Sequence, residues 1–181
     1  MKVTTGKFKG RNIRMPKGIR PTQGKARKAI FDILGGIEGL SFLELFAGSG
    51  AVGIEAASRG AAEVVFVENN PNVLKVLSSS TAGILDAQYL ILAQSVESAL
   101  ARLNRENKKF DIIFLDPPYY QDLPKKTLQT LEGYDILAPN GLIVVQHFKK
   151  ENLPDSLGVL TLFRQYKYSQ TLLSLYRKKE P

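Results

Sequence analysis

Asp116-Pro117-Pro118-Tyr119 is the stretch of this chain best suited to chemistry. It comes directly after the apolar run Phe110-Asp111-Ile112-Ile113-Phe114-Leu115, which reads as a buried strand. Two successive prolines supply no ladder N–H, so they stop a central strand abruptly and stiffen the chain at its exit. The stop presents a carboxylate, a proline carbonyl and an aromatic ring. Two acceptors beside a flat apolar face suit a planar group that bears an exocyclic NH2, and a nucleobase fits that description.

A second cluster lies upstream. Gly48-Ser49-Gly50-Ala51-Val52-Gly53 matches G-x-G-x-x-G between an expected strand and an expected helix, and Glu68 comes twenty residues after Gly48. Glycine lets a backbone approach a ligand, and a carboxylate at the end of the next strand accepts hydrogen bonds from both hydroxyls of a ribose. The pattern therefore points to an adenosine-bearing cofactor. Glu44, on the strand before the loop, would repel a pyrophosphate and would suit the cationic amino group and sulfonium of S-adenosylmethionine. A structural role for Glu44, accepting loop N–H groups, is compatible with that one. Glu44, Glu68, Ser95 and Asp116 all fall at or just after the ends of successive strands, where ligands of open parallel sheets bind.

The elements that must position these residues are set by the apolar pattern. Strands are expected at 41–46, 64–68, 89–93, 110–116 and 142–146. Helices are expected at 23–34, 51–59, 72–77, 96–105 and 123–137. Alternation of this kind builds a largely parallel sheet covered on both faces. Residues 160–166 and 171–176 leave no room for a crossover helix and should pair antiparallel. Residues 2–15 read as a short hairpin turning near Lys9-Gly10. The expected organisation is a basic N-terminal extension over 1–22 and one α/β domain over 23–181.

Composition narrows the partners. The 181 residues contain no cysteine and a single histidine, His147. Disulfides, a Cys nucleophile and a multi-His metal site are thereby excluded, and no metal is expected. His147 reads as a structural residue at a strand end, and Tyr166 and Tyr168 read as packing in the last strand pair. The first residues lack the apolar run of a signal peptide, and the apolar runs are too short to span a bilayer, so a cytoplasmic location is expected. Residues 1–28 hold ten of the 25 basic residues and none of the 17 acidic ones. The net charge of +8 therefore sits at one end, as in chains that bind polyanions, with nucleic acid the leading candidate. Phe8, Gly10, Ile13 and Ile19 interrupt the charges as in a folded ribbon.

Taken together, the segment from Glu44 to Gly60, Val67-Glu68-Asn69-Asn70 and Asp116-Pro117-Pro118-Tyr119 resemble class I S-adenosylmethionine-dependent methyltransferases. Gly6 to Arg11, Arg20-Pro21-Thr22 and the helix from Ala26 to Leu34 narrow this to a resemblance with the RsmD family, which methylates N2 of a guanine in 16S ribosomal RNA. The resemblance covers nearly the whole chain. It implies a Rossmann-like, mostly parallel seven-stranded sheet with its last strand antiparallel. It implies cofactor contacts at Glu44, Ala47, Gly48, Gly50, Glu68 and Asn69, with Ser95 where many class I enzymes place an aspartate. It implies transfer at Asp116, Pro117 and Tyr119. Lys7, Lys9, Arg11, Arg14, Arg20 and Thr22 would hold RNA, whether as 16S rRNA or in an assembling small subunit. Gly24 and Lys28 depart from acidic residues common in related sequences. Three other readings share single features: a DNA adenine-N6 methyltransferase shares the DPPY element, an NAD-type oxidoreductase the glycine loop, and a non-catalytic RNA-binding module the basic ribbon.

Overall fold

Short runs rich in apolar residues, such as 64–67, 112–115 and 142–145, form the strand cores of this protein. The computed structural model describes residues 1–18, 24–86, 88–118 and 122–179. The chain forms two compact units, Met1–Ser95 and Val96–Pro181.

In the first unit, β1 (Ser41–Leu45), β2 (Glu63–Glu68) and β3 (Tyr89–Ala93) run parallel in the order β3-β2-β1. The interiors of β1 and β2 are fully buried, as continuous apolar strands covered on both faces should be. Helix α1 (Gly24–Leu34) precedes them, and α2 (Ala51–Ser58) and α3 (Pro71–Ile84) connect them. All eight residues of α2 are buried. Asn70 caps α3, its side-chain oxygen accepting from the N–H groups of Asn72 and Val73, with Pro71 in the first turn.

The expected hairpin over residues 2–15 takes another form. Its two arms cross antiparallel, with Lys2 bridging Asn12 and Val3 N–H donating to Arg11 O, but they make a single bridge rather than two strands. The donors that would extend a ladder go to α2 instead. Thr4 N–H and Oγ1 donate to the Glu55 carboxylate at 2.8 and 2.6 Å, Lys7 N–H to Ser58 O, and Phe8 N–H to Ser58 Oγ. Gly6 makes the approach possible, since its φ is +82° and a Cβ there would lie 1.7 Å from Ser58 O.

In the second unit, helices α4 (Val96–Arg105) and α5 (Leu123–Glu132) accompany β4 (Phe110–Leu115), β5 (Leu137–Phe148), β6 (Ser156–Leu157), β7 (Leu160–Tyr168) and β8 (Thr171–Lys178). The strand order is β4-β5-β8-β7-β6. β4 and β5 are parallel, while β5–β8, β8–β7 and β7–β6 are antiparallel. The described strands thus number eight, the addition to the expected seven being the two-residue β6.

Element ends moved for local reasons. α3 runs seven residues beyond the expected Leu77 because Ser80 and Thr81 are buried, with Thr81 Oγ1 donating back to Leu77 O. α5 stops at Glu132 rather than 137. Gly133 closes it, and Ile136 O is taken by Phe110 N–H at the start of the β4–β5 pairing. Among the described residues no helix is long and apolar enough to cross a membrane.

Candidate functional site

In the first unit the glycine loop leaves β1 through backbone that few side chains tolerate. Phe46 has φ 57°, Gly48 55° and Gly50 72°. These left-handed steps turn the chain back on itself, with Gly50 N–H donating to Ala47 O and Ala47 N–H to Val67 O. Two carboxylates hold the turn. Glu68, at the end of β2 and partly exposed, accepts from Gly48 N–H at 3.0 Å, and its other oxygen accepts from Asn69 and Asn70 N–H at 2.9 and 2.8 Å. Glu44, 2% exposed, accepts from Gly53 N–H at 2.9 Å.

Packing behind the loop explains two of its glycines. A Cβ on Gly50 would lie 2.4 Å from Leu77 Cδ1, and one on Gly53 would lie 2.4 Å from Phe66 Cε1 and 2.7 Å from Glu44 Oε2. Those two positions are small because the core is close, whereas Gly48 faces the Glu68 carboxylate through its N–H. Ala47 is buried, Asn69 is exposed, and Ser95 is partly buried two residues past β3. The structure therefore joins Glu44, Ala47, Gly48, Gly50, Glu68 and Asn69 in one backbone-tied loop. Of the two roles considered for Glu44, burial and the Gly53 bond make the structural one visible.

The ribbon of residues 1–14 is fixed by a buried ionic cluster that sequence reasoning missed. Glu55 lies wholly inside, with Arg27 Nε 3.6 Å and Arg59 Nε 3.3 Å from its oxygens. Arg27 donates to Lys2 O and meets the Met1 sulfur. Burial pushes the Arg27 guanidinium below its usual range, against the opposing pull of Glu55 and Glu44. One signal was available: Glu55 sits within Ala51-Val52-Gly53-Ile54-Glu55-Ala56-Ala57, a helix with no polar face to carry it into solvent. Arg27 is thus one of the ten N-terminal cations that cannot meet a polyanion. The others of interest point outward. Lys7, Lys9, Arg11 and Arg14 are exposed. Lys7 pairs with Asp86 at 2.9 Å, Arg11 donates to Ile84 O, and Arg14 to Ser79 Oγ. Arg20 and Thr22 lie outside the described residues.

In the second unit β4 ends at Leu115, and Asp116 and Pro117 come at once after it, the first partly and the second fully buried, with Pro118 exposed. Asp116 carries its carboxylate at the carboxyl end of a parallel strand. Tyr119 lies outside the described residues. His147, 1% exposed on β5, has Nδ1 3.2 Å from Phe148 O and Nε2 2.7 Å from Ser174 Oγ, which Gln165 Nε2 also reaches at 2.7 Å. The carbonyl requires the proton on Nδ1, and burial lowers the affinity of the ring for a second proton. This is the strand-end structural histidine that the sequence suggests.

The whole chain has relatives. The family described as Conserved hypothetical protein 95 matches residues 1–177. Ribosomal RNA small subunit methyltransferase D of Escherichia coli is 30% identical over 182 residues, covering 99% of this chain and 90% of that protein. The Bacillus subtilis protein YlbH is 33% identical over 183 residues, covering 99% of this chain and 100% of the relative. The solved structure of Escherichia coli yhhF superposes with a TM-score of 0.87 at 30% identity, covering 99% and 98% of the two chains. A match of that extent carries the Rossmann-like methyltransferase fold along the full length, and the chain belongs to the Conserved hypothetical protein 95 family, the RsmD-like methyltransferases.

Proposed function

We propose that this protein transfers a methyl group from S-adenosylmethionine to the exocyclic N2 amine of a guanine in 16S ribosomal RNA. The observation that carries the acceptor side is the Asp116 carboxylate, partly buried at the end of β4 and succeeded by two prolines that end the strand. RNA as substrate is supported by the relative named Ribosomal RNA small subunit methyltransferase D.

The donor set of the first unit fits the cofactor. The segment from Glu44 to Gly53 brings a carboxylate to the base of the loop, and a second, partly exposed carboxylate stands at the end of β2. Glu68 would take the ribose hydroxyls, the turn at Ala47–Gly50 would take the amino-acid end, and Asn69 and Ser95 would flank the adenine. When bound, S-adenosylmethionine supplies a methyl group on an electrophilic sulfonium. A pyrophosphate on this loop would meet the Glu44 carboxylate behind it, which weighs against a dinucleotide and hence against the oxidoreductase reading.

Asp116 and the Pro117 carbonyl act on the nucleophile. An exocyclic amine is weak because its lone pair is conjugated with the ring. Accepting its two N–H groups favours a pyramidal nitrogen whose lone pair is free to attack. As positive charge develops on nitrogen, the carboxylate stabilises it more than it stabilises the neutral amine, and the surplus proton of the methylated nitrogen then leaves to water to give the neutral N-methyl product. Tyr119 would stack on the unstacked base and add cation–π stabilisation. Lys7, Lys9, Arg11, Arg14, Arg20 and Thr22 would hold the RNA backbone.

Transfer of a tritiated methyl group to naked 16S RNA, to assembled small subunits and to DNA tests this reading. Label should appear in RNA as N2-methylguanine, and Asp116→Ala should lower the rate by at least about 10²–10³-fold while calorimetric binding of S-adenosylmethionine persists. Label in DNA adenine, or full turnover by Asp116→Ala, overturns it.

A further inference from the structure

We infer that the β7–β8 hairpin is a second RNA-binding surface, one that stacks an unpaired base on Phe163 and holds the flanking phosphates with Arg164 and Arg177. This rests on the reading of RNA as the substrate and adds a contact surface to it.

The charge pattern comes first. From Ser156 to Lys179 the chain has five basic residues and no Asp or Glu. Lys178 pairs with Asp135 at 2.9 Å, and Arg164, Lys167 and Arg177 are exposed. Like-charged side chains on an edge strand are a usual defence against edge-to-edge aggregation, and β6 covers only the start of β7, pairing with Leu160 and Thr161, with Leu162 N–H donating to Asp155 O. Defence by charge does not call for an exposed aromatic ring among the charges, however.

Phe163 supplies that ring. The β7–β8 register slips between Leu162, opposite Tyr176, and Arg164, opposite Leu175. Phe163 is the extra residue at this bulge, and bulges re-aim side chains. The ring is 38% exposed, one of few large apolar side chains of the described chain so placed. Arg177 lies over it, with the guanidinium carbon 5.2 Å from the ring centroid. Next along the strand, Arg164 donates to the hydroxyl of Tyr166 at 3.2 Å. An aromatic platform with planar cations beside it, on an extended strand, matches single-stranded nucleic acid, where every base offers a π face and every linkage a negative charge. Arg164, opposite Leu175 beyond the bulge, shares its sheet face with Arg177, which is opposite Thr161, so both cations flank the ring on one side, while Lys167, opposite Leu172, belongs to the other face. An acidic peptide would satisfy the cations and leave the ring without a role.

The test uses the full-length protein and two labelled probes, a 16S rRNA transcript and a single-stranded RNA 20-mer, with poly-glutamate as the protein-like polyanion. Fluorescence anisotropy should show Phe163→Ala weakening 20-mer binding about tenfold, within the range for loss of one stacked base, with poly-glutamate binding unchanged and Phe163→Tyr restoring the RNA affinity. The double variant Arg164→Gln/Arg177→Gln should flatten the plot of log affinity against log salt by about 1.4, at roughly 0.7 per lost phosphate on a single strand. S-adenosylmethionine affinity and the thermal midpoint should stay at the wild-type values in every variant. If wild type binds and methylates the transcript but Phe163→Ala binds both RNAs normally, the hairpin proposal is overturned. The same holds if the variants weaken poly-glutamate as much as RNA. Should wild type itself neither bind nor methylate the transcript, it is the RNA reading beneath the proposal that fails.

Discussion

Two regions of the first unit are tied down by the same device and differ in what surrounds it. In the glycine loop, the Glu68 carboxylate accepts three backbone N–H groups and remains partly exposed at the end of β2. In the N-terminal ribbon, the Glu55 carboxylate accepts Thr4 N–H and Oγ1 but is wholly buried, with Arg27 buried against it. An exposed carboxylate with lone pairs to spare can shape a loop and still take a ligand. One sealed against a buried cation can only hold structure. The difference teaches that a carboxylate bonded to backbone N–H groups is read by its access to solvent, not by its bonds.

The largest effect should come from breaking the sealed cluster. Glu55→Ala leaves Arg27 buried without its nearest anion and should cost about 3–5 kcal/mol in denaturant unfolding. A variant that unfolds at the wild-type denaturant concentration would break the comparison. Gly6→Ala should come next, at about 1–3 kcal/mol, because its Cβ would fall within 1.7 Å of Ser58 O and its φ of +82° is unsuited to alanine. The ribbon must then lift off α2, and protease cleavage within residues 1–14 reads that out.

Glu68→Gln should sharpen the contrast from the other side. Stability should fall by less than about 1 kcal/mol, while calorimetric affinity for S-adenosylmethionine should fall roughly 10–100-fold, the value of hydrogen bonds to a charged group. The reverse outcome, lost stability with full affinity, would place Glu68 with Glu55.

The smallest effect is expected at an ion cluster that no burial protects. Asp135 is exposed between Lys109 and Lys178, which hold its carboxyl at about 2 against an ordinary 3.8. A carboxyl lowered on folding contributes stability above 3.8 and loses it as pH falls towards 2. Solvent screens such a contribution. Asp135→Asn should therefore leave the thermal midpoint at neutral pH unchanged within error, and only slightly flatten its decline between about pH 4 and 2.

Much of this was legible in the residues. The strand cores of β2 and β4 come from unbroken apolar runs and that of β1 from an apolar run interrupted only by Glu44, and the antiparallel pairing of β7 and β8 comes from a connection too short for a crossover. Glu68 and Asp116 were placed at strand ends by counting. The tight left-handed turn needs glycine at Gly48 and Gly50, but it also takes Phe46 at φ 57°, which no propensity suggests. The ribbon reads as a hairpin because alternation says that a segment is extended without saying where its N–H groups go. Here they go to Glu55 and Ser58, about fifty residues away.

Sequence by itself determined the chemistry that could be carried: carboxylates and glycines at the ends of apolar strands, a double proline after β4, and cations concentrated at the N-terminus. These are local properties, set by side-chain type and backbone freedom. Only the tertiary structure decided which charges stay available. Burial separates Glu55, Glu44 and Arg27 from Glu68, Lys9 and Arg164, because the cost of an ion depends on the water and the partners around it. Those come from segments far apart in the chain.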